Sequence, residues 1–305
     1  MSDSWITLQS AGLLARIDPQ GAQLSVLRDA TGRELLWHGD ASIWAGRSPI
    51  LFPIVGTLAG GQFRLGSGEK ARRFSLPRHG FARNRAFELI AHTPSTALFR
   101  LASDESTLAV YPFPFELDAC YELHAATLTV VVTVRNTGSE TLPASVGLHP
   151  GFRWPLDPAQ PRSAHLIEFA SPEPLGVRRI GANGLLLPDR FPTPVRGRRL
   201  GLGDALFQDD VLIFDQLGSR SLVFGALDVD GPRLEIGFPD SPWLGLWTRP
   251  GAPFLCIEPW QGVSDPDGFD GELWDKPGIF RVQPGADHKL RMTATFSYSR
   301  PVVSN

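Results

Sequence analysis

The chain has 305 residues, of which 42% are hydrophobic and 20% are charged, so we expect a packed core and no extended disorder. The net charge of −3 at pH 7 argues against nucleic acid or an anionic membrane as a partner, because both require a basic surface. The sequence shows no signal-peptide pattern and no run of the ~20 apolar residues that a membrane helix needs, so we expect a cytoplasmic protein.

Apolar residues at every second position predict half-buried antiparallel strands. In chain order, the first clear example runs from Leu128 to Val134, where the even-numbered apolar residues face one way. The segments Ser221–Leu227 and Arg233–Phe238 flank Asp230-Gly231, a dipeptide typical of β-hairpins. The same alternation returns from Leu290 to Tyr298, with lysine, arginine, threonine and serine on the opposite face.

Turn-forming residues are spread along the chain rather than gathered in one linker. The 31 glycines and 27 prolines separate short segments at intervals typical of sandwiches and barrels, and long amphipathic helical windows are absent from the sequence. The stretch Arg178–Gly203, rich in Pro, Gly and Arg, is interpreted as a long surface excursion. We therefore predict an all-β protein, a large antiparallel β-sandwich that forms one domain over residues 1–305.

The residues that bind metals and cofactors do not form a recognisable motif. Cys120 and Cys256 form neither a CxxC pair nor a disulfide framework, and no His-x-x-x-His spacing occurs. G-x-G-x-x-G, Walker A and G-x-S-x-G motifs are also missing from the sequence. We expect no metal and no cofactor in the functional site.

Three regions do not look like ordinary strands or turns. The first is Ser48–Gly56 with the later Arg78–Arg83, the second is Gly147–Phe152, and the third is Cys256–Trp260. Each of these regions contains a histidine or a glutamate. In isolation, His79 and His149 are each compatible with a turn residue satisfied by backbone hydrogen bonds.

Glu258 follows the apolar run Phe254–Ile257 and precedes Pro259 and Trp260. A carboxylate in such surroundings loses hydration, which is unfavourable unless it is paired. Desolvation also raises its pKa, which makes a glutamate a competent base near neutral pH. Two interpretations are therefore open: a catalytic base, or a buried structural carboxylate paired with an arginine.

Taken together, these regions resemble the aldose 1-epimerases, particularly the LacX-like branch of bacterial proteins. The resemblance runs from Gly12 to Tyr298 and rests on an ordered set of motifs: Phe52–Gly56, His79–Arg83, His149–Phe152 and Glu258–Trp260. It implies the galactose mutarotase-like supersandwich fold, with the sugar in a cleft on one sheet. It also implies an isomerase (mutarotase) that interconverts the α- and β-anomers of an aldose.

The resemblance implies a role for each matching residue. His149 matches the general acid that protonates the ring oxygen, and Glu258 matches the general base that takes the proton of the anomeric hydroxyl. His79 matches a second histidine that contacts the sugar. Further sugar-binding positions are Arg47, Arg83 and Asp210, with neighbouring Asp209 as an alternative to Asp210.

Aromatic residues near the motifs supply further candidates, because aromatic faces pack well against the C–H face of a pyranose. Trp260 is the candidate that we select for sugar binding; Phe81, Phe152 and Trp247 are equally compatible with core positions. The expected partner is a small sugar.

Alternatives within and outside this class remain open. A hexose 6-phosphate is an alternative substrate, because several arginines follow or precede the first motif, although a solvated loop is the favoured interpretation of Arg72, Arg73 and Arg78. A non-catalytic carbohydrate-binding protein would not need both an acid and a base. A glycoside hydrolase would usually need two carboxylates. The sequence does not predict the exact sugar or the oligomeric state.

Overall fold

The protein is described by a computed structural model over residues 4–299, and its regular structure is almost entirely β-strand. In chain order the strands are β1 (Ile6–Gln9), β2 (Leu13–Asp18), β3 (Gln23–Asp29), β4 (Ile50–Leu51), β5 (Gln62–Leu65), β6 (Arg72–Ser75), β7 (Glu88–His92), β8 (Thr96–Ala102), β9 (Phe115–His124), β10 (Thr127–Asn136), β11 (Leu142–Ala144), β12 (Val146–Leu148), β13 (Gly151–Arg153), β14 (Leu166–Phe169), β15 (Arg199–Gly201), β16 (Leu212–Phe214), β17 (Ser221–Gly225), β18 (Gly231–Gly237), β19 (Trp243–Trp247), β20 (Phe254–Gln261), β21 (Phe280–Val282) and β22 (Asp287–Ser299).

Helical structure within the described residues is short. It consists of one α-helical turn, α1 (Glu105–Leu108), and the 3₁₀ turns Ala59–Gly61, Gly68–Lys70, Ala82–Asn84, Arg162–Ala164, Asp204–Phe207 and Leu273–Asp275. Between residues 4 and 299, no helix is long and apolar enough to cross a membrane.

Two large sheets form the body of the protein. The larger has nine strands in the order β15-β14-β17-β18-β22-β10-β9-β8-β7. The smaller has six, in the order β16-β19-β20-β12-β4, with β13 also paired to β20. Three small sheets, β1-β2-β3, β5-β6 and β11-β21, complete the structure, and neighbouring strands run antiparallel in every pair. The all-β antiparallel sandwich that the sequence predicts is confirmed.

The core lies between the two large sheets. Leu128 and Val132 of β10 belong to the same buried cluster as Leu255 and Ile257 of β20. The opposite face of the six-stranded sheet is covered as well, which explains why every residue of β20 is buried. Burial on both faces gives a continuous apolar run instead of an alternating one.

The two strands predicted from alternation exist, with one difference in burial. In β10 the predicted inward-facing residues are buried, whereas in β22 burial ends after Ala294 and Tyr298 is 64% exposed. The partner strand β10 stops at Thr127, which pairs with Thr295. Beyond that point β22 has only β18 beside it, so Phe296 is only partly buried against the core and Tyr298 is left exposed.

The predicted hairpin and surface excursion are also recognisable. Strands β17 and β18 pair antiparallel, but their loop is longer than two residues, and Gly231 is the first residue of β18. The excursion Arg178–Gly203 contains only the short strand β15. It does not lie free on the surface: Ile180 and Leu186 pack on the outer face of the six-stranded sheet.

Candidate active site

The register of the central strand β20 brings the two main candidate residues together. Strand β12 pairs Gly147 with Trp260, and strand β13 pairs Gly151 with Cys256. The antiparallel register is the same on both sides of the break between β12 and β13. His149, inside that break, is therefore opposite Glu258.

The alternation of β20 decides which face of the sheet carries the glutamate. Leu255 and Ile257 point into the sandwich core, so Cys256, Glu258 and Trp260 point to the outer face. Glu258 Oε2 lies 3.1 Å from His149 Nε2, and its side chain is 1% exposed. An imidazole and a carboxylate thus meet in a buried position.

Several polar atoms at this position lack a hydrogen-bond partner among the residues that the structure describes. They are Oε1 of Glu258, Nδ1 of His149, Nε1 of Trp260 and Oδ1 of Asp210, together with Oε2 of Glu258, whose 3.1 Å approach to His149 Nε2 lacks hydrogen-bond geometry. Buried polar groups are normally satisfied, so a concentration of unsatisfied ones needs an explanation. A ligand with many hydroxyl groups provides both donors and acceptors for such a set.

These groups surround a cavity of about 190 Å³, which we call the inner cavity. Its polar lining is formed by Arg78, His79, Arg83, His149, Asp210 and Glu258. Trp44, Trp247 and Trp260 supply most of its aromatic wall. The volume is below the ~300–1,000 Å³ that is typical of pockets for drug-sized ligands, which suits a single small ring.

His149 is held between two tryptophans. Its ring centroid lies 5.1 Å from that of Trp44 and 5.8 Å from that of Trp247. Its backbone N–H donates to the carbonyl of Pro49 at 3.1 Å. Ring contacts and backbone pairing together restrict the orientation of the imidazole.

His79 is positioned by the turn that contains it and by the first motif. It has a left-handed backbone (φ 68°), an uncommon conformation for a residue other than glycine. The next residue, Gly80, also has positive φ, and a Cβ there would lie 2.2 Å from the carbonyl oxygen of Phe52. Phe52 in turn accepts hydrogen bonds from the N–H groups of Phe81 and Ala82. The two halves of the first motif region therefore pack backbone against backbone.

Each ring nitrogen of His79 has an N–H group beside it. The N–H of Gly56 donates to His79 Nδ1 at 3.1 Å, and the Nε–H of Arg78 is directed at His79 Nε2 at 3.3 Å. A neutral imidazole accepts at only one nitrogen, so these contacts orient the ring without assigning its tautomer. Burial lowers the pKa of His79 well below its ordinary value, with further lowering by His149 and Arg78. His79 is therefore a neutral ring at the wall of the inner cavity, oriented by Gly56 and Arg78.

Burial shifts the pKa values of the central pair in opposite directions. The pKa of Glu258 is well above its ordinary value because of desolvation, opposed by the positive charge of Arg78 and reinforced by Asp210. The pKa of His149 is lowered, first by desolvation and also by the charges of Arg78 and Arg83. Both shifts favour the uncharged forms, so the pair binds one proton that both residues can share.

Of the other candidate residues predicted from the sequence, some line the inner cavity and some do not. Asp210, which has φ 64°, lines the inner cavity, whereas Asp209 does not. Arg83 lines the cavity, and its guanidinium donates to the carbonyl of Arg78 at 2.7 Å.

Arg47 lies outside the lining: its guanidinium donates to the carbonyl of His38 and sits over the ring of Trp5. The proposed sugar contact of Arg47 therefore lacks support in this arrangement.

Some residues of the inner cavity were not selected from the sequence. Arg78, for which a solvated loop was the favoured interpretation, lines the cavity, and so does Trp44. The adjacency of Arg78 to His79 was a usable signal, whereas nothing in the sequence distinguishes Trp44. Of the aromatic candidates, Trp247 and Trp260 line the cavity, while Phe81 and Phe152 are core residues.

Comparison with known proteins identifies the family. The family model described as aldose 1-epimerase matches residues 4–175. The plasmid-encoded LacX protein of Lactococcus lactis subsp. lactis is 32% identical over 285 residues, which cover 92% of this chain and 95% of LacX. The chain belongs to the aldose 1-epimerase family.

Solved structures agree with this membership. A galactose mutarotase related enzyme from Lactobacillus acidophilus has a TM-score of 0.87 and 30% identity, with 98% of each chain covered. A galactose mutarotase-like protein from Lactobacillus casei has a TM-score of 0.89 and 27% identity, with 96% of this chain and 100% of that chain covered. The fold is thus the galactose mutarotase-like β-sandwich, and the family is one of carbohydrate epimerases.

Proposed function

We propose that this protein is an aldose 1-epimerase that interconverts the α- and β-anomers of a sugar by acid–base ring opening and closure. The most direct support is the 3.1 Å approach of His149 and Glu258 at the buried end of the inner cavity. The ring oxygen and the anomeric oxygen of an aldose are bonded to the same carbon. Two groups that lie so close together can therefore reach both oxygens at once.

The reaction leaves the proton count of the pair unchanged. In ring opening, Glu258 takes the proton of the anomeric hydroxyl while protonated His149 donates a proton to the ring oxygen, and the C1–O5 bond breaks. The pair then consists of a protonated Glu258 and a neutral His149, which is the form that burial favours. Rotation about C1–C2 presents the other carbonyl face, and the reverse transfers close the ring as the opposite anomer.

His79 has a supporting role in this proposal. Its neutral ring contacts a sugar oxygen from the wall of the inner cavity, and Gly56 and Arg78 hold the orientation of the ring. Arg83, Asp210 and Trp260 hold the other hydroxyl groups and the ring face. Trp44 and Trp247 exclude water around His149, which strengthens charge interactions in the cavity.

The experiment that tests this function is NMR exchange at the anomeric proton of free aldoses, with the spontaneous rate subtracted. Catalysed exchange supports an epimerase, whereas sugar binding without exchange would indicate a carbohydrate-binding protein. Asp210 places a second carboxylate in the inner cavity, so release of reducing sugar from glycosides must be measured in parallel. Glycoside cleavage without exchange would replace the epimerase with a hydrolase.

The 6-phosphate alternative has weaker support. Of the five arginines near the first motif, only Arg78 and Arg83 line the inner cavity. Asp210 offsets one of these two charges, and the His149–Glu258 pair with its single shared proton is neutral overall. The one remaining positive charge does not compensate the two negative charges of a phosphate, so we favour an uncharged aldose as the substrate.

The pH dependence of the reaction follows from the shared proton. Only the singly protonated pair is active, so kcat/KM should fall in acid when His149 takes up a second proton. Because the pKa of His149 is lowered, we expect the apparent pKa of this acid limb to lie below the ordinary histidine value of ~6.5. A pH profile of exchange checks this. An acid limb at or above the ordinary value would contradict a buried, neutral His149.

We expect the activity to be independent of metal ions. His149, Cys256 and Glu258 place potential ligand atoms within 4.8 Å of one another, so a transition metal has a place to bind. The proposed proton transfers need no Lewis acid, and a metal there would occupy both catalytic groups. Exchange rates before and after chelator treatment should therefore agree within about twofold. Loss of activity on chelation and its return with added zinc would contradict the mechanism.

A further inference from the structure

A second, larger space adjoins the inner cavity. This outer cleft has a volume of about 720 Å³ and is lined by Arg78, Arg179, Asn183, Phe191, Asp209 and Asp210, among others. Arg78 and Asp210 line both spaces, so the two are adjacent at these residues. The outer wall comes from the excursion Arg178–Gly203, which the proposed acid–base reaction does not require.

The burial gradient indicates which end of a sugar faces this cleft. The side chains of Glu258 and His149 are 1% and 12% exposed, whereas Arg78 is exposed. The reacting carbon must therefore lie at the closed end of the inner cavity. The non-anomeric end of the ring then points towards Arg78, Asp210 and the outer cleft.

The charges of the cleft favour an uncharged occupant. Its two arginines, Arg78 and Arg179, are matched by two carboxylates, Asp209 and Asp210. Arg179 is already engaged, because its guanidinium donates to the carbonyls of Asp210 and Leu206 at 3.1 and 2.9 Å. A phosphate would meet both carboxylates without an excess of cations to compensate them.

The other lining groups suit a sugar ring. Phe191 is a large apolar side chain that is 38% exposed at the wall of the cleft, and an aromatic face packs against the C–H face of a pyranose. Asn183 adds an exposed side-chain amide, whose Oδ1 accepts from the N–H of Leu185 at 3.0 Å and whose Nδ2 donates to Asp267 at 3.4 Å; the amide group has a second N–H that a sugar hydroxyl can use. Gly181 and Ala182 leave room beside these groups.

We propose that the outer cleft binds a second, uncharged sugar unit, so that the preferred substrates are reducing disaccharides or longer saccharides. The reducing-end ring occupies the inner cavity and the next ring lies in the outer cleft. This inference rests on the proposed epimerase function and names its substrate class. The second ring adds binding energy without changing the acid–base chemistry.

The test compares sugars that share a glucose reducing end. NMR exchange at the anomeric proton is measured for glucose, maltose, cellobiose, lactose, melibiose and glucose 6-phosphate. We expect kcat/KM for at least one disaccharide to exceed that for glucose by tenfold or more. Glucose 6-phosphate should not exceed that disaccharide.

Two variants test whether the preference for a disaccharide over glucose arises in the outer cleft. Ala182→Trp fills the cleft and Phe191→Ala removes the aromatic wall, so in both the ratio of disaccharide to glucose kcat/KM should fall at least fivefold. Ala182→Ser is the matched control, in which the ratio should stay within twofold. Continued exchange of glucose by Ala182→Trp shows that the blocked protein is folded.

The possible outcomes separate the two proposals. Exchange of glucose with no preference for any disaccharide would overturn the outer-cleft inference and leave the epimerase function in place. A preference for glucose 6-phosphate, or an unchanged ratio in both variants, would also overturn the inference. Absence of exchange with every sugar of this panel and with other free aldoses would instead overturn the proposed function.

Discussion

Replacement of Glu258 by glutamine is expected to lower the rate of anomer exchange by at least ~10²-fold, the usual contribution of one acid–base group. Glutamine preserves the size of the side chain and one acceptor oxygen, but it cannot take the proton of the anomeric hydroxyl. The affinity for sugar should change little, because the other groups of the inner cavity remain. NMR exchange measures the rate, and titration calorimetry measures the affinity.

The stability of the same variant separates a catalytic from a structural role. Glu258 lies within ion-pair distance of His149 and, among the described residues, of no arginine, so the structural interpretation lacks its cationic partner. Because burial raises the pKa of Glu258, the folded state binds its proton more tightly than the unfolded state does. The carboxylate therefore lowers stability as the pH rises above its unfolded pKa. At pH 7, Glu258→Gln should leave the unfolding midpoint unchanged or raise it.

Glu235→Gln is the matched control for this change. Glu235 is exposed on β18 of the nine-stranded sheet, outside the lining of the inner cavity. The same chemical substitution there should leave exchange near normal. If Glu258→Gln folds and also retains near-normal exchange, Glu258 is not the base. The proton transfers must then be assigned to the histidines.

Replacement of Lys276 by methionine is expected to destabilise the protein by about 3–5 kcal/mol, the usual effect of breaking a fully buried ion pair. Lys276 Nζ lies 2.8 Å from Asp265 Oδ1 and donates to the carbonyl of Val263 at 2.6 Å. Both side chains are almost completely buried, at 0% and 2% exposure. Methionine fills a similar volume but leaves the carboxylate of Asp265 unpaired. Urea unfolding at pH 7 measures the loss.

This buried pair also connects to the candidate site. Asp265 Oδ2 accepts the N–H of Ala59 at 2.8 Å, and the N–H of Asp265 donates to the carbonyl of Thr57 at 2.9 Å. Thr57 directly follows Gly56, whose N–H donates to His79, and Ala59 lies two residues after Thr57. Loss of the pair should therefore also reduce exchange in the fraction of protein that remains folded.

Two further variants test whether the unpaired charge is the cause. Lys289→Met removes an exposed lysine on β22 and should change the free energy of unfolding by no more than about 0.5 kcal/mol. The double variant Lys276→Met with Asp265→Asn should recover part of the lost stability, because no buried charge remains. If Lys276→Met is as stable as the parent protein, the pair does not stabilise this loop region.

The sequence was informative wherever structure depends on local pattern. Period-two alternation predicted β10 and β22, because a strand with one buried face must place apolar side chains at every second position. The dispersed glycines and prolines indicated short strands and many turns, which the order of elements confirms. Motif resemblance led to His79, His149 and Glu258, and the structure brings all three to one cavity.

The tertiary structure decided what depends on distant parts of the chain. Only the shared register of β12 and β13 on β20 places His149 opposite Glu258, since local pattern contains no information about strand register. The direction of a side chain leaving a loop is equally non-local, which is why Arg78 lines the cavity and Arg47 does not, and why Asp210 rather than Asp209 reaches it. The sequence by itself determined the fold class and the chemical groups of the site. Their arrangement, the contribution of Trp44 and the outer cleft follow from packing between segments far apart in sequence.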